Sequence, residues 1–240
     1  MLRYEELKTN TRKFLSLTSL TPDEFEDLLP AFERASLKRY PASKTMAGKV
    51  RKRKVGAGRK GSLESIEQKL LFILVYQKSY PLQSIMGELF GISQGRANEW
   101  IHRLLPILKQ ALDDLGVLPE RDPKQFRVKE KDQNDAADSI IDGTERRRQR
   151  PKKAEKQALH YSGKKKIHSD KNVLIATAKR KRVSYLSQTY PGKTHDKTVA
   201  DTENISYPRH ITLHKDLGFQ GYEPNVRKLY QPKKSLASRN

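Results

Sequence analysis

Residues Asp138-Ser-Ile-Ile-Asp142-Gly-Thr-Glu145 read as a short apolar strand that ends in a carboxylate. The run Arg146-Arg147-Arg148-Gln149-Arg150-Pro151-Lys152-Lys153 follows without a break. An acid at a strand end can hold a hard cation such as Mg²⁺ through its oxygens. Guanidinium groups beside it attract phosphate through paired N–H donors. Asp142 followed by Arg146, Arg147, Arg148 and Arg150 is therefore the pattern expected where a metal assists attack on a phosphodiester. One carboxylate is not a site, so the question becomes what else the chain brings to Asp142.

With 240 residues the chain has room for one large or two small domains. Hydrophobic residues make up 35%, enough for a lean core. The formal net charge of +21 points to a polyanionic partner, nucleic acid first. No amphipathic basic helix with an exposed apolar face supports a membrane surface instead. The absence of cysteine excludes disulfides and cysteine-zinc sites. No run of about 18 apolar residues predicts a membrane span. The start, Met1-Leu-Arg-Tyr-Glu-Glu-Leu, lacks the apolar core of a secretory signal. The expectation is a cytoplasmic, nucleoid-associated protein that meets double-stranded DNA.

The fold class expected is α + α/β, with a helical first half. Residues 1–36 carry a strong helix start at Thr21-Pro-Asp-Glu24, where Thr21 caps, Pro22 suits the first turn and Glu24 completes a capping box. Phe25, Leu28, Leu29 and Phe32 share one face behind it. Residues 35–63 hold ten Lys or Arg and no acid. Lys49, Arg51, Lys52, Arg53 and Lys54, then Arg59 and Lys60 between glycines, read either as a solvated linker or as an arm along phosphates. Three helices are expected over 62–113. Ser62 would cap the first. The second would turn Leu82, Ile85, Met86 and Leu89 inward and end at Gly91. Ser93 would cap the third, with Ala97, Trp100, Ile101, Leu104 and Leu108 as its stripe, and Pro106 would kink it or start a new helix. Two helices joined by Gly-Ile-Ser are the pattern of a helix-turn-helix, whose second helix enters the major groove. Gln94, Arg96 and Asn98 at its start are types that pair with base edges, and Arg103 lies further along. An ordinary helical bundle with a polar face is the other reading.

Residues 1–118 are thus expected to form a DNA-binding domain with a basic arm at 35–61, and 119–136 to form a linker. From Ser139 the periodicity changes. Strands are expected at Ile140–Ile141, ending at Asp142, then at 164–176, 182–186 and 210–214, with a helix capped by Thr194 running to about Glu203. Strand, strand, strand, helix, strand is the opening of a ribonuclease H-like sheet, whose first and fourth strands are neighbours. That adjacency would bring Asp142 to Asp216, which follows the fourth strand. Paired carboxylates can bind divalent ions that activate the attacking oxygen and stabilise the leaving one. An Asp after a strand is also a common turn former. Glu145 is expected to be exposed or arginine-paired, and Lys164, Lys165 and Lys166 to alternate across a strand.

Asp142-Gly-Thr-Glu-Arg with Gln149-Arg-Pro-Lys, Tyr161-Ser-Gly-Lys-Lys-Lys-Ile-His168, Tyr190-Pro-Gly-Lys-Thr-His195-Asp196 and Asp216-Leu-Gly-Phe-Gln-Gly-Tyr222 occur in this order. Together they closely resemble bacterial insertion-sequence transposases of the DDE superfamily, in the Harbinger-like group known as insertion sequence five. The resemblance implies a cut-and-paste transposase that hydrolyses DNA at the element's ends and joins the freed 3′-hydroxyl to target DNA. It further implies Mg²⁺ or Mn²⁺ as cofactor, Asp142 and Asp216 as the first two metal-binding acids, and a homo-oligomer that pairs two ends. The family's third acid is a glutamate on a later helix. The stretch Gln231-Pro-Lys-Lys-Ser-Leu-Ala-Ser-Arg-Asn240 has no glutamate and no helical pattern, and Glu223 directly precedes Pro224. The expectation is therefore an incomplete sheet that lacks its closing strand and covering helices. Such a chain would be a decayed copy or the first product of a frame change, weak in cleavage alone. A DNA-binding protein without cleavage, such as a repressor of its own element, is the alternative.

Overall fold

The structure, a computed structural model, describes residues 1–41, 43, 49, 50, 52, 63–126, 138–179 and 182–232. The chain divides into two compact units, Met1–Val117 and Leu118–Asn240. The first is a helical region with a helix-turn-helix, and the second is a curled mixed sheet of ribonuclease H-like arrangement.

In the first unit, α1 (Tyr4–Leu7), α2 (Thr11–Thr18) and α3 (Pro22–Arg39) precede α4 (Ile66–Ser79), α5 (Gln83–Phe90) and α6 (Gln94–Asp114). The capping box of α3 forms as expected: Thr21 accepts from the Glu24 N–H, and the Glu24 carboxylate accepts from the Thr21 N–H. Tyr4, Phe14 and Phe25 make an aromatic cluster, with Tyr4 stacked on Phe25 at 4.9 Å. Helix α4 is the centre, because every residue from Leu70 to Tyr76 is buried. Its buried Gln68 ties down the N-terminal residues: the Tyr4 N–H donates to Oε1 at 3.0 Å, and Nε2 donates to the Leu2 carbonyl at 2.7 Å.

Several sequence expectations change here. The cap of α4 is Ser65, whose hydroxyl accepts from the Gln68 N–H, and Ser62 lies outside the described residues. Helix α3 continues to Arg39, so the basic arm does not begin at residue 35. Helix α5 buries Met86, Gly87 and Phe90, while Leu82, Ile85 and Leu89 are exposed. The reason is the tight turn into α6. A Cβ on Gly87 would lie 2.7 Å from the Ile92 carbonyl oxygen, so the glycine side of α5 is the one that packs. Gly91 closes α5 and Ser93 caps α6 as expected. Helix α6 runs through Pro106 rather than restarting there.

In the second unit, β1 (Asp138–Arg147), α7 (Ala154–His160), β2 (Tyr161–Ser162), β3 (Ile167–Thr177), β4 (Val183–Leu186), β5 (Tyr190–Pro191), α8 (Asp196–Glu203), β6 (Thr212–Lys215) and β7 (Lys228–Tyr230) follow in order. The sheet order is β2-β3-β1-β6-β7, with β4 and β5 also paired to β3. Strand β1 is antiparallel to β3 from Ser139↔Thr177 to Arg147↔Ser169. It is parallel to β6 only from Asp138↔Thr212 to Ile141↔Lys215. The first-to-fourth adjacency predicted from the element order is thus present, in a sheet with three further short strands, β2, β5 and β7.

Asp142 does not end β1. Pairing with β3 carries the strand on to Arg147. The sheet does not lack a strand beyond β6, because β7 pairs with it in parallel. Lys164 and Lys165 lie in the turn between β2 and β3, with Lys166 at φ 56°, so they do not alternate across a strand. The cap of α8 is His195, not Thr194. Part of the expected linker belongs to this unit: Glu120 exchanges backbone hydrogen bonds with Ser184 and Leu186, and Phe126 is buried against Tyr185 and Tyr207. Residues 127–137 lie outside the described ones.

Gln68→Leu keeps the volume of α4 but orphans the Tyr4 N–H and the Leu2 carbonyl. We predict a loss of about 1–3 kcal/mol in the stability of the first unit, read by urea unfolding of the Trp100 fluorescence.

Candidate active site

The two predicted acids sit side by side where the β1–β6 ladder stops. Ile141↔Lys215 is the last parallel pair, so Asp142 and Asp216 are each the next residue on neighbouring strands. Adjacent strands lie about 4.8 Å apart. Both acids line an open cavity of about 780 Å³, with Asp138, Ile140, His214 and Tyr230 among its walls. Each carboxylate is half-committed to its own backbone. Asp142 Oδ1 accepts from the Gly143 N–H at 2.8 Å, and Asp216 Oδ1 accepts from the Gly218 N–H at 2.9 Å. The second bond makes Asp216 the cap of a single 3₁₀ turn, Leu217–Phe219. Asp216 is therefore a turn former as well as a candidate ligand.

Side chains on the other face of the sheet hold this edge in place. Residues 141, 143 and 145 of β1 face the core, opposite Ile175, Val173 and Lys171 of β3. Lys171 is buried, with Nζ 3.6 Å from Glu145 Oε1 and 2.8 Å from Asp196 Oδ1. The Asp196 contact is an ion pair without an aligned hydrogen bond at that oxygen. Glu145 also accepts from the Ser169 hydroxyl at 2.9 Å. It is neither exposed nor arginine-paired, which corrects the sequence expectation. Burial alone would raise its pKa, but the Ser162 and Ser169 hydroxyls and Lys171 outweigh burial and hold it below the ordinary carboxylate value.

Asp196 stands at the start of α8 and fills the space beside two glycines. A Cβ on Gly143 would meet its Cγ at 2.7 Å. A Cβ on Gly218 would meet Asp196 Oδ2 at 2.9 Å and Asp216 Oδ1 at 3.1 Å. These glycines follow Asp142 and Asp216 closely, so one carboxylate packs under both strand β1 and the 3₁₀ turn. Lys215 supports that turn from below: its buried Nζ donates to the carbonyls of Phe219 and Tyr222, at 3.2 and 2.5 Å. Burial lowers its pKa. Sequence reasoning did not single out Lys171, Lys215 or Asp196 as parts of the site. The available signal was a lysine in phase with inward-facing apolar residues, Lys171 with Val173 and Ile175, and Lys215 with Leu213.

The other predicted residues are spread over both units. Arg148 Nη1 pairs with Asp170 at 2.8 Å and lies 3.0 Å from His160 Nδ1. Arg146 donates to Asn172, and Arg150 donates to Gln157 from two nitrogens. Arg147 is exposed. The run is thus largely built into the fold around α7. In the first unit, Gln94, Arg96 and Asn98 lie on the opening turns of α6, with Arg96 in an exposed ion pair to Glu99 at 2.8 Å. Arg103 is half-buried against Tyr40 and Trp100. Lys49 and Lys52 are exposed, whereas Arg51, Arg53, Lys54, Arg59 and Lys60 lie outside the described residues.

The donor set at Asp142 and Asp216 is all oxygen, which suits Mg²⁺ or Mn²⁺. Magnesium is commonly held by one or two carboxylates, with water and substrate phosphate completing its shell. Among the described residues, no group of three or more acidic, histidine or cysteine side chains is placed to hold a metal.

Gly143→Ala should destabilise the second unit by about 1–3 kcal/mol, although the same change in an open strand stabilises. The penalty should shrink in an Asp196→Ala background, because the clash is with that carboxylate. Urea unfolding of the four chains tests the coupling. Glu145 gives a second test. A carboxylate with a depressed folded pKa contributes fully above its unfolded value, and the contribution is lost as pH falls through the folded one. Stability should therefore fall as pH drops below the ordinary carboxylate range and through the depressed folded value, and Glu145→Gln should flatten that limb in urea midpoints.

Residues 61–114 match the family model described as helix-turn-helix of DDE superfamily endonuclease. Residues 141–238 match the model described as DDE superfamily endonuclease. No curated protein and no solved structure gives a significant match. The two family matches fall in the same order as the two compact units, one in each, and together they take in more than half of the sequence. The chain belongs to the DDE superfamily of transposase-type endonucleases.

Proposed function

We propose that this chain is a DNA transposase of an insertion sequence, of the insertion sequence five or Harbinger-like group. In this reading the first unit binds double-stranded DNA at the terminal inverted repeats. Helix α6 presents Gln94, Arg96 and Asn98 to base edges, and the basic stretch 42–62 neutralises phosphates. In the second unit Asp142 and Asp216 hold Mg²⁺ or Mn²⁺. The metal, when bound, activates an attacking oxygen and stabilises the leaving oxygen of a phosphodiester. Asp142 and Asp216 orient that centre through their free oxygens. Their other oxygens stay on the Gly143 and Gly218 N–H groups, so neither side chain has to be ordered at the moment of reaction. Pairing two element ends calls for more than one copy on the DNA, hence a homo-oligomer.

The observation that carries this reading is the β1–β6 register, which sets the two acids on adjacent strands at one open cavity. A second reading, DNA binding without cleavage, is favoured because, among the described residues, no group of three acidic, histidine or cysteine side chains is placed to hold a metal. With two carboxylates, metal affinity should be low and cleavage by this chain slow.

The test is a nicking assay on duplexes that carry the element's ends, with binding followed in parallel. We expect binding without metal, and slow cleavage only with Mg²⁺ or Mn²⁺. Asp142→Asn and Asp216→Asn should each lower cleavage by about a hundredfold or more and leave binding unchanged. Cleavage that survives either substitution refutes the assignment of the acids. Binding with no cleavage under any metal leaves the repressor-like reading.

A further inference from the structure

Two cations in the first unit converge on one indole ring. Lys69, in the first turns of α4, has Nζ 5.8 Å from the centre of the Trp100 ring. Arg103, on α6, has its guanidinium carbon 4.9 Å from the same ring and 4.6 Å from the ring of Tyr40. Arg39 brings a third cation to within 5.9 Å of Tyr40. All of Tyr40, Lys69, Trp100 and Arg103 are half-buried.

Aromatic faces attract each cation but do not neutralise it. Among the described residues, no carboxylate forms an ion pair with Lys69 or Arg103. Lys69 donates instead to the Glu64 carbonyl oxygen at 3.2 Å. The stretch 42–62, which starts beyond Tyr40 and ends before Leu63, contains no Asp or Glu that could supply one. Burial, and then repulsion from Arg103, push the Lys69 ammonium below its ordinary pKa. The Glu67 charge pulls the other way but is outweighed, so the pair is a partly desolvated positive site with no ion-pair partner among the described residues. Arg103 also follows Arg96 by seven positions, which places it on the same side of α6, about 10 Å further along the axis.

We propose that Lys69 and Arg103, seated on Trp100 and Tyr40, grip a phosphodiester of the DNA backbone beside the recognition helix. The contact is independent of base sequence and sets the register in which Gln94, Arg96 and Asn98 meet base edges. It rests on the DNA-binding reading of the first unit and deepens it.

Trp100 is the sole tryptophan of the chain, so its emission reports on this site alone. The full chain is titrated with two unrelated duplexes, following anisotropy over a salt series and Trp100 emission together. Binding should shift the emission. Lys69→Gln and Arg103→Gln should each weaken both duplexes alike by several-fold and reduce the salt slope by about 1. Arg103→Lys should retain the slope, which a purely structural role for the stack would not require. Far-UV circular dichroism checks folding, and if Arg103→Gln unfolds, Lys69→Gln decides. Unchanged emission at saturation, or a wild-type salt slope in the folded variants, overturns the proposal while DNA binding stands. Inorganic phosphate at equal ionic strength should leave the emission unchanged, and a DNA-like response to it would overturn the phosphodiester assignment. If neither duplex binds, the DNA-binding reading fails and the grip fails with it.

Discussion

Strand β1 is shared between two ladders of unequal length. Its antiparallel pairing to β3 runs to Arg147, whereas its parallel pairing to β6 stops at Ile141. Beyond that point β1 is paired on one side only. The open cavity lies where the second ladder stops, and both candidate acids sit at its start. Had β6 continued alongside β1, the Asp216 backbone would be engaged in pairing instead of turning away. The 3₁₀ turn capped by Asp216 is how β6 leaves the sheet, and the buried Lys215 amine binds that turn from the core side.

Charge burial explains how this edge is tied to the core. An unpaired lysine in a sheet core is costly, and its cost falls only when donors find acceptors. Lys171 meets Glu145 across the strand pair and Asp196 from α8, so sheet and helix are joined by one amine. Lys215 spends its amine on two backbone carbonyls. These arrangements work because Gly143 and Gly218 leave room for the Asp196 carboxylate. A second polar cluster anchors the far end of the same helix. Glu203 accepts from the hydroxyls of Tyr185 and Tyr190, and both phenols are pushed up by burial and by that carboxylate. Helix α8 is thus tied to the sheet by acids at both ends, with Val199 and Ala200 packed between them.

The first unit depends on α4 in a comparable way, through apolar contact in place of charge. A helix buried all round carries little face information, and this one has a nearly continuous apolar run from Leu70 to Tyr76. Its neighbours decide their own faces by how closely they approach. Helix α5 approaches α6 along Gly87, which turns Ile85 and Leu89 outward although their spacing fits an inward stripe.

Much was determined by the sequence alone, wherever the deciding interaction is local. The capping box at Thr21 and Glu24, the Gly91 stop, the Ser93 cap and the order of strands around α8 depend on residues within a turn or two of each other. The adjacency of Asp142 and Asp216 was legible because a strand order implies a neighbour relation. What needed the tertiary structure was everything set by a partner distant in the chain. The length of β1 follows from β3. The burial of Glu145 follows from Lys171 and Ser169, and the packing of Asp196 follows from two glycines, one in β1 and one in the 3₁₀ turn after β6. A side chain's environment is the sum of what approaches it in space, and linear spacing encodes that only for neighbours along the chain. The arginine run shows the difference most plainly: by sequence it is a row of free charges, and in the fold Arg146, Arg148 and Arg150 are each held by a residue of another element.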